Sequence, residues 1–181
     1  MPREFKATQL KARIPDKPLI RQEKATTMAL LDMPLRTMWS EVQDVRDKVE
    51  ALLADLPAEA REATVMTASE LVENAIKYGE PVPAAPHATV SLDRDGDLVR
   101  VVVRNGAASE SGARELLAHV ARLAAASDRM ALYVDRLREL MTSPGGASRL
   151  GIYRIGCEGG FDLAADLTDR VVTVTATRRV A

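Results

Sequence analysis

Glu70, Asn74 and Lys77 stand at i, i+4 and i+7 within the segment Glu70-Leu71-Val72-Glu73-Asn74-Ala75-Ile76-Lys77-Tyr78. This spacing puts a carboxylate, an amide and an ammonium on one face of a helix. A carboxylate can take or steer a proton, an amide oxygen can ligate a hard cation, and an ammonium can pair with phosphate. The set therefore suits a magnesium-bound triphosphate. Val65, Ala68, Val72, Ala75 and Ile76 mark the adjoining face with the period of a helix packed on a core. Asn74 is the unusual member, because a mid-helix amide competes for local backbone groups outside helical geometry. The same residues also fit a solvated face braced by a Glu73 to Lys77 pair worth about 0.2–0.5 kcal/mol.

The elements that must hold this face follow from the rest of the pattern. Residues 1–25 form a basic arm, with Arg3, Lys6, Lys11, Arg13, Lys17, Arg21 and Lys24 against Glu4, Asp16 and Glu23; Pro2, Pro15 and Pro18 make it extended. Residues 26–181 read as one α+β domain. A short strand is predicted at 26–32. Met38, Val42, Val45, Val49, Leu52 and Leu56 predict a helix over 36–55, and a second helix over 58–79 carries the Glu70 to Tyr78 face between Pro57 and Gly79. Alternation on both sides of Asp95-Gly96 predicts a β-hairpin from 88 to 104, closed by Asn105-Gly106. Two helices are predicted at about 112–126 and 128–141. Pro144-Gly145-Gly146 then makes a flexible loop, with Ser148 as a candidate N-cap for a short helix to about Glu158. A last hairpin turns at Thr168-Asp169-Arg170. Helices segregated from an antiparallel sheet imply a two-layer α/β sandwich, with a mixed or antiparallel sheet covered by helices on one face.

Composition narrows the function classes. The 181 residues are 46% hydrophobic and 28% charged, a globular balance with a net charge of -1. No apolar run approaches the roughly 20 residues of a transmembrane helix, and the start lacks the apolar core of a signal peptide, so a cytoplasmic protein without a membrane partner is expected. The lone Cys157 excludes an internal disulfide and reads as a small buried hydrophobe. Two Phe, three Tyr and one Trp leave little to stack on bases, which argues against nucleic acid as a partner of the arm. His87 and His119 sit on no phosphoacceptor pattern, and Asp93, Asp95 and Asp97 belong to a turn.

In the order and type of its elements, residues 26–178 resemble the GHKL-type, histidine-kinase-like ATPase fold, and especially the short bacterial anti-sigma-factor and partner-switching serine kinases. Glu70 to Tyr78 resembles that family's N-box. The resemblance implies that Glu70 acts as the general base, Asn74 holds Mg²⁺ and Lys77 contacts phosphate of a bound ATP. Gly145-Gly146-Ala147-Ser148-Arg149-Leu150-Gly151 is similar to the second glycine box, which implies phosphate contacts at Gly145, Gly146, Arg149 and Gly151. Cys157 to Leu163 resembles the helix, Gly-Gly and strand that close such domains.

The chain also departs from the family. Where the family has Asp-x-Gly-x-Gly, with the Asp on the adenine amino group, this chain has Asn105-Gly106-Ala107-Ala108-Ser109. Asn105 can still accept through its carbonyl oxygen, at a loss of about 1–3 kcal/mol against a charged acceptor. Arg149 stands where a glycine is usual, and a helical insert at about 112–141 replaces a short lid. The resemblance implies a cytoplasmic bacterial signalling regulator, a homodimer that uses ATP and Mg²⁺ as a serine/threonine kinase in a partner switch. Its protein partner would be a sigma factor, an antagonist or a response regulator. The departures admit a second outcome, a non-catalytic interaction module that keeps the fold without the nucleotide. A third is a detached ATPase whose lid moves around Gly145 and Gly146.

Overall fold

The computed structural model describes residues 28–36, 38–142 and 149–180. The basic arm, Gly145, Gly146 and Ser148 lie outside the described residues. Among the described residues, five strands and five helices follow in the order β1 (Met28–Leu35), α1 (Ser40–Leu52), α2 (Ala58–Tyr78), β2 (Ala88–Asp95), β3 (Leu98–Gly106), α3 (Glu110–Ala125), α4 (Arg129–Thr142), α5 (Leu150–Cys157), β4 (Asp162–Thr168) and β5 (Val171–Arg179). The strands form one sheet, β1-β2-β3-β5-β4, with every neighbour antiparallel. The architecture is α+β in two layers. No helix among the described residues is long and apolar enough to cross a membrane.

Period-two alternation decides which face of the sheet is covered. Val90, Leu92, Val99, Val101, Val103, Val172, Val174 and Ala176 are buried against the helices, whereas Ser91, Arg100, Thr173, Thr175 and Thr177 occupy the intervening positions at partial exposure. The helical layer contributes Val45 and Val49 from α1, Leu71 and Val72 from α2, and Ile152, Tyr153 and Ile155 from α5 to the same core. Two-residue turns set both hairpin registers. Gly96 adopts φ 59° between the paired Asp95 and Leu98, and Asp169 and Arg170 adopt φ 51° and 61° between Thr168 and Val171.

Several boundaries differ from the sequence pattern for local reasons. β1 runs to Leu35 through Pro34, which the sheet tolerates because β1 is an edge strand. α1 ends at Leu52: Leu53 has left helical geometry at φ -111°, and Pro57 disfavours helix in the residue before it. Leu53 and Leu56 stay in the core from the connecting turn. Asn105 and Gly106 do not close the first hairpin; they are the last rungs of β3, paired with Val172 and Val171, because the β5 ladder continues past the point where β2 begins. Arg149, in left-handed geometry, occupies the N-cap position of α5. Cys157 is half-buried rather than a plain core hydrophobe, and its thiol donates to the Arg129 carbonyl at 3.0 Å.

Candidate functional site

α2 is the helix from which the site is built. Its Ala60, Ala63, Val65, Ala68, Leu71, Val72 and Ala75 are buried, which pins the helix between α1, α5 and the sheet and sets the direction of every other side chain it carries. Asn74, Lys77 and Tyr78, on its last turns, border a cavity of about 260 Å³. The floor of the cavity is Val103, Asn105, Val172 and Val174 of the sheet; its other walls come from Ser109, Gly112 and Leu116 on the α3 side and Arg149 and Ile152 on the α5 side. An apolar floor under a few convergent polar groups is the usual build of a small-molecule site.

Asn74 is half-buried, and its Nδ2 is sealed from solvent with no hydrogen-bond partner among the described residues. A buried amide without a partner costs about 1–3 kcal/mol. Asn105 donates from Nδ2 to the Gly106 carbonyl at 2.9 Å, which directs the donor half of its amide to the backbone. Lys77 stands at the rim with its Nζ 3.0 Å from Glu73 Oε2 and 5.4 Å from the centre of the Trp39 ring. The Glu73 to Lys77 brace read from the sequence is therefore present, and it leaves Lys77 at the cavity.

Glu70 points elsewhere. It is not among the residues bordering the cavity; its carboxylate forms an ion pair with Arg154 Nη1 of α5. Arg154 also holds Glu158 at 3.2 Å from its Nε, and the Tyr133 hydroxyl donates to the same Glu158 carboxylate at 2.9 Å. This chain of groups ties α2, α5 and α4 together. Gly151 belongs here and not to the cavity wall, because a Cβ at that position would overlap Glu70 Oε2. Burial raises the Glu70 carboxyl above its ordinary value; Arg154 opposes the shift, and Glu73 and Glu158 reinforce it.

Two contacts at the site were not legible in the sequence. The Arg149 guanidinium lies 3.8 Å from the centre of the Tyr78 ring, and its Nη2 donates to the Gly112 carbonyl at 3.0 Å. His119 Nδ1 lies 2.7 Å from the hydroxyl of the fully buried Tyr153, and its Nε2 is 3.7 Å from Glu115, which borders the cavity. Burial, followed by the field of Arg136, lowers the His119 pKa below its ordinary value, so a neutral imidazole with Nδ1 accepting from Tyr153 fits the contact. The available signals were faint: an aromatic one turn beyond Asn74, and a histidine on an amphipathic helix.

Comparison with known proteins finds no matching family model and no significant match among curated proteins.

Proposed function

We propose that this chain is a signalling regulator of the GHKL type that holds a nucleotide, ATP with Mg²⁺, in the cavity between α2, α3, α5 and the sheet. The observation that carries the reading is Asn74, whose buried Nδ2 has no hydrogen-bond partner among the described residues, at the wall of an apolar cavity that Asn105 and Lys77 also border. The apolar floor suits a flat base, Asn105 offers it a hydrogen-bonding edge, and Lys77 offers charge where the ligand leaves the cavity. Turning the Asn74 amide about its last torsion exchanges Nδ2 for Oδ1, so this residue fits a hard cation that takes its remaining oxygens from phosphate and water. When bound there, Mg²⁺ would neutralise phosphate charge.

Activity as a partner-switching serine/threonine kinase needs more from Glu70 than the observed arrangement provides. A base must reach the proton it removes, and here the carboxylate is engaged by Arg154. That pairing favours a second reading, in which the chain binds its protein partner without phosphorylating it. Calorimetric titration of ATP with Mg²⁺ into wild type and Asn74→Ala tests the first reading. Saturable binding that weakens at least tenfold in the variant is expected, together with a ligand-dependent gain of about 2.7 kcal/mol at one hundred times Kd. Equal binding in both proteins would remove Asn74 from the site. No binding in either, alongside retained partner binding, would leave the second reading.

A further inference from the structure

Glu115 borders the cavity from the second turn of α3, and among the described residues it is the one carboxylate that does so. Two other side chains prepare its placement from behind. The hydroxyl of the fully buried Tyr153 on α5 lies 2.7 Å from His119 Nδ1, and His119, one turn beyond Glu115 on α3, brings its Nε2 to 3.7 Å from Glu115 Oε1. With Nδ1 accepting from Tyr153, the imidazole proton sits on Nε2 and faces the carboxylate. Burial keeps the imidazole neutral near pH 7, which preserves this order of donor and acceptor. The His119 side chain is 14% exposed and that of Glu115 49%, so the ring is closed to a ligand and the carboxylate is open to one.

Charge divides the cavity. Asn74 and Lys77 stand on its α2 side and Glu115 on its α3 side. A triphosphate beside Glu115 would meet like charge in a partly enclosed site, so the phosphates of a bound nucleotide belong with Asn74 and Lys77 and the sugar with Glu115. A carboxylate offers acceptors alone, two oxygens with about four lone-pair directions, and His119 steers one of them. The ligand group that suits it is a donor, and a vicinal diol presents two. A carboxylate accepting from a ribose hydroxyl is the same chemistry that dinucleotide-binding folds use to recognise the sugar.

We infer that Glu115 is a specificity-determining residue that accepts from the ribose hydroxyls of the cavity's nucleotide, and that His119 is the residue that positions it. The inference rests on the nucleotide reading and deepens it. It also fixes the direction in which the ligand lies, sugar against α3 and phosphates toward the end of α2. Tyr153 acts through His119 and does not meet the ligand. Preference for a ribonucleotide then comes from α3, not from the helix that carries Asn74.

The test is calorimetry with Mg²⁺ and two probes, ATP and 2′,3′-dideoxy-ATP, which lacks both ribose hydroxyls. They are titrated into wild type, Glu115→Ala, His119→Gln and Glu110→Ala. Glu110→Ala is the control, since it removes another carboxylate from α3, one that is paired with Arg114 and does not border the cavity. Wild type and the control are expected to bind ATP about fivefold more tightly than the dideoxy analogue. In Glu115→Ala the ratio is expected to fall below about twofold, with affinity for the analogue unchanged. Position 115 is a half-exposed helix site where Ala is the best helix former, so this variant keeps the fold. His119→Gln is expected to lower the ratio in the same way, whereas a merely structural role would weaken both nucleotides alike. Equal affinity for the two nucleotides in wild type, or a wild-type ratio in Glu115→Ala, would overturn the inference and leave the nucleotide reading intact. Equal weakening of both nucleotides, or an unchanged ratio, in His119→Gln would overturn the positioning role. Failure of both nucleotides to bind wild type would end the inference and the nucleotide reading together.

Discussion

Glu70 shows how one carboxylate can be read correctly by position and differently by environment. Its place on α2 follows from helical period, but its partner, Arg154, comes from a helix 84 residues away in sequence. Because burial raises its pKa, the folded chain holds the Glu70 proton more tightly than the unfolded chain does. Wild-type stability therefore falls as pH rises through the window that opens near the ordinary value of 4.5 and closes at the raised folded value. Glutamine has no proton to lose. Glu70→Gln is expected to gain stability relative to wild type across that window and to hold the gain at higher pH. Loss of the Arg154 pair offsets part of the absolute gain, so the slope is the diagnostic quantity. Urea melts of both proteins from pH 4 to 8 measure it, and parallel pH profiles would contradict the assignment.

At the scale of elements, the end of α2 and the end of β3 are held together by backbone. Glu80 N donates to the Gly106 carbonyl at 2.9 Å, and Ala108 N donates to the Tyr78 carbonyl at 3.3 Å, so the strand and helix that carry Asn105 and Asn74 cannot drift apart. This approach is possible because position 106 lacks a side chain: a Cβ there would overlap the Glu80 carbonyl oxygen and press on Val82. Backbone cannot swing aside as a side chain can. Gly106→Ala is expected to lower stability by about 1–3 kcal/mol and to weaken any ligand that uses Asn105. A denaturant midpoint equal to that of wild type would show that the contact relaxes freely. α4 is the opposite case among these helices. None of its residues is fully buried; it packs chiefly on α5, with Leu132 and Tyr133 partly buried against the core and Tyr133 bonded to Glu158.

For the whole molecule, the described residues between 28 and 180 form the five-stranded sheet and its helical layer. A chain that begins at residue 26 is expected to melt within about 4 °C of the full chain, the shift that corresponds to roughly 1 kcal/mol at this size. A larger drop would give the basic arm a structural role. The sequence by itself determined the kind and order of the elements, the helical face of Asn74 and Lys77, and both hairpin turns, because each depends on neighbours a few residues apart whose periodicity and turn chemistry are local. It did not show that Asn105 and Gly106 extend a strand, since that depends on how far β5 runs alongside β3. Nor could it show that Glu70 faces Arg154, that Arg149 lies on Tyr78, or that His119 meets Tyr153. Tertiary structure decided those pairings, because which charges and rings meet depends on the angle and depth at which α5 packs on α2 and α3 packs on α5 and β4, and packing is a property of distant residues acting together.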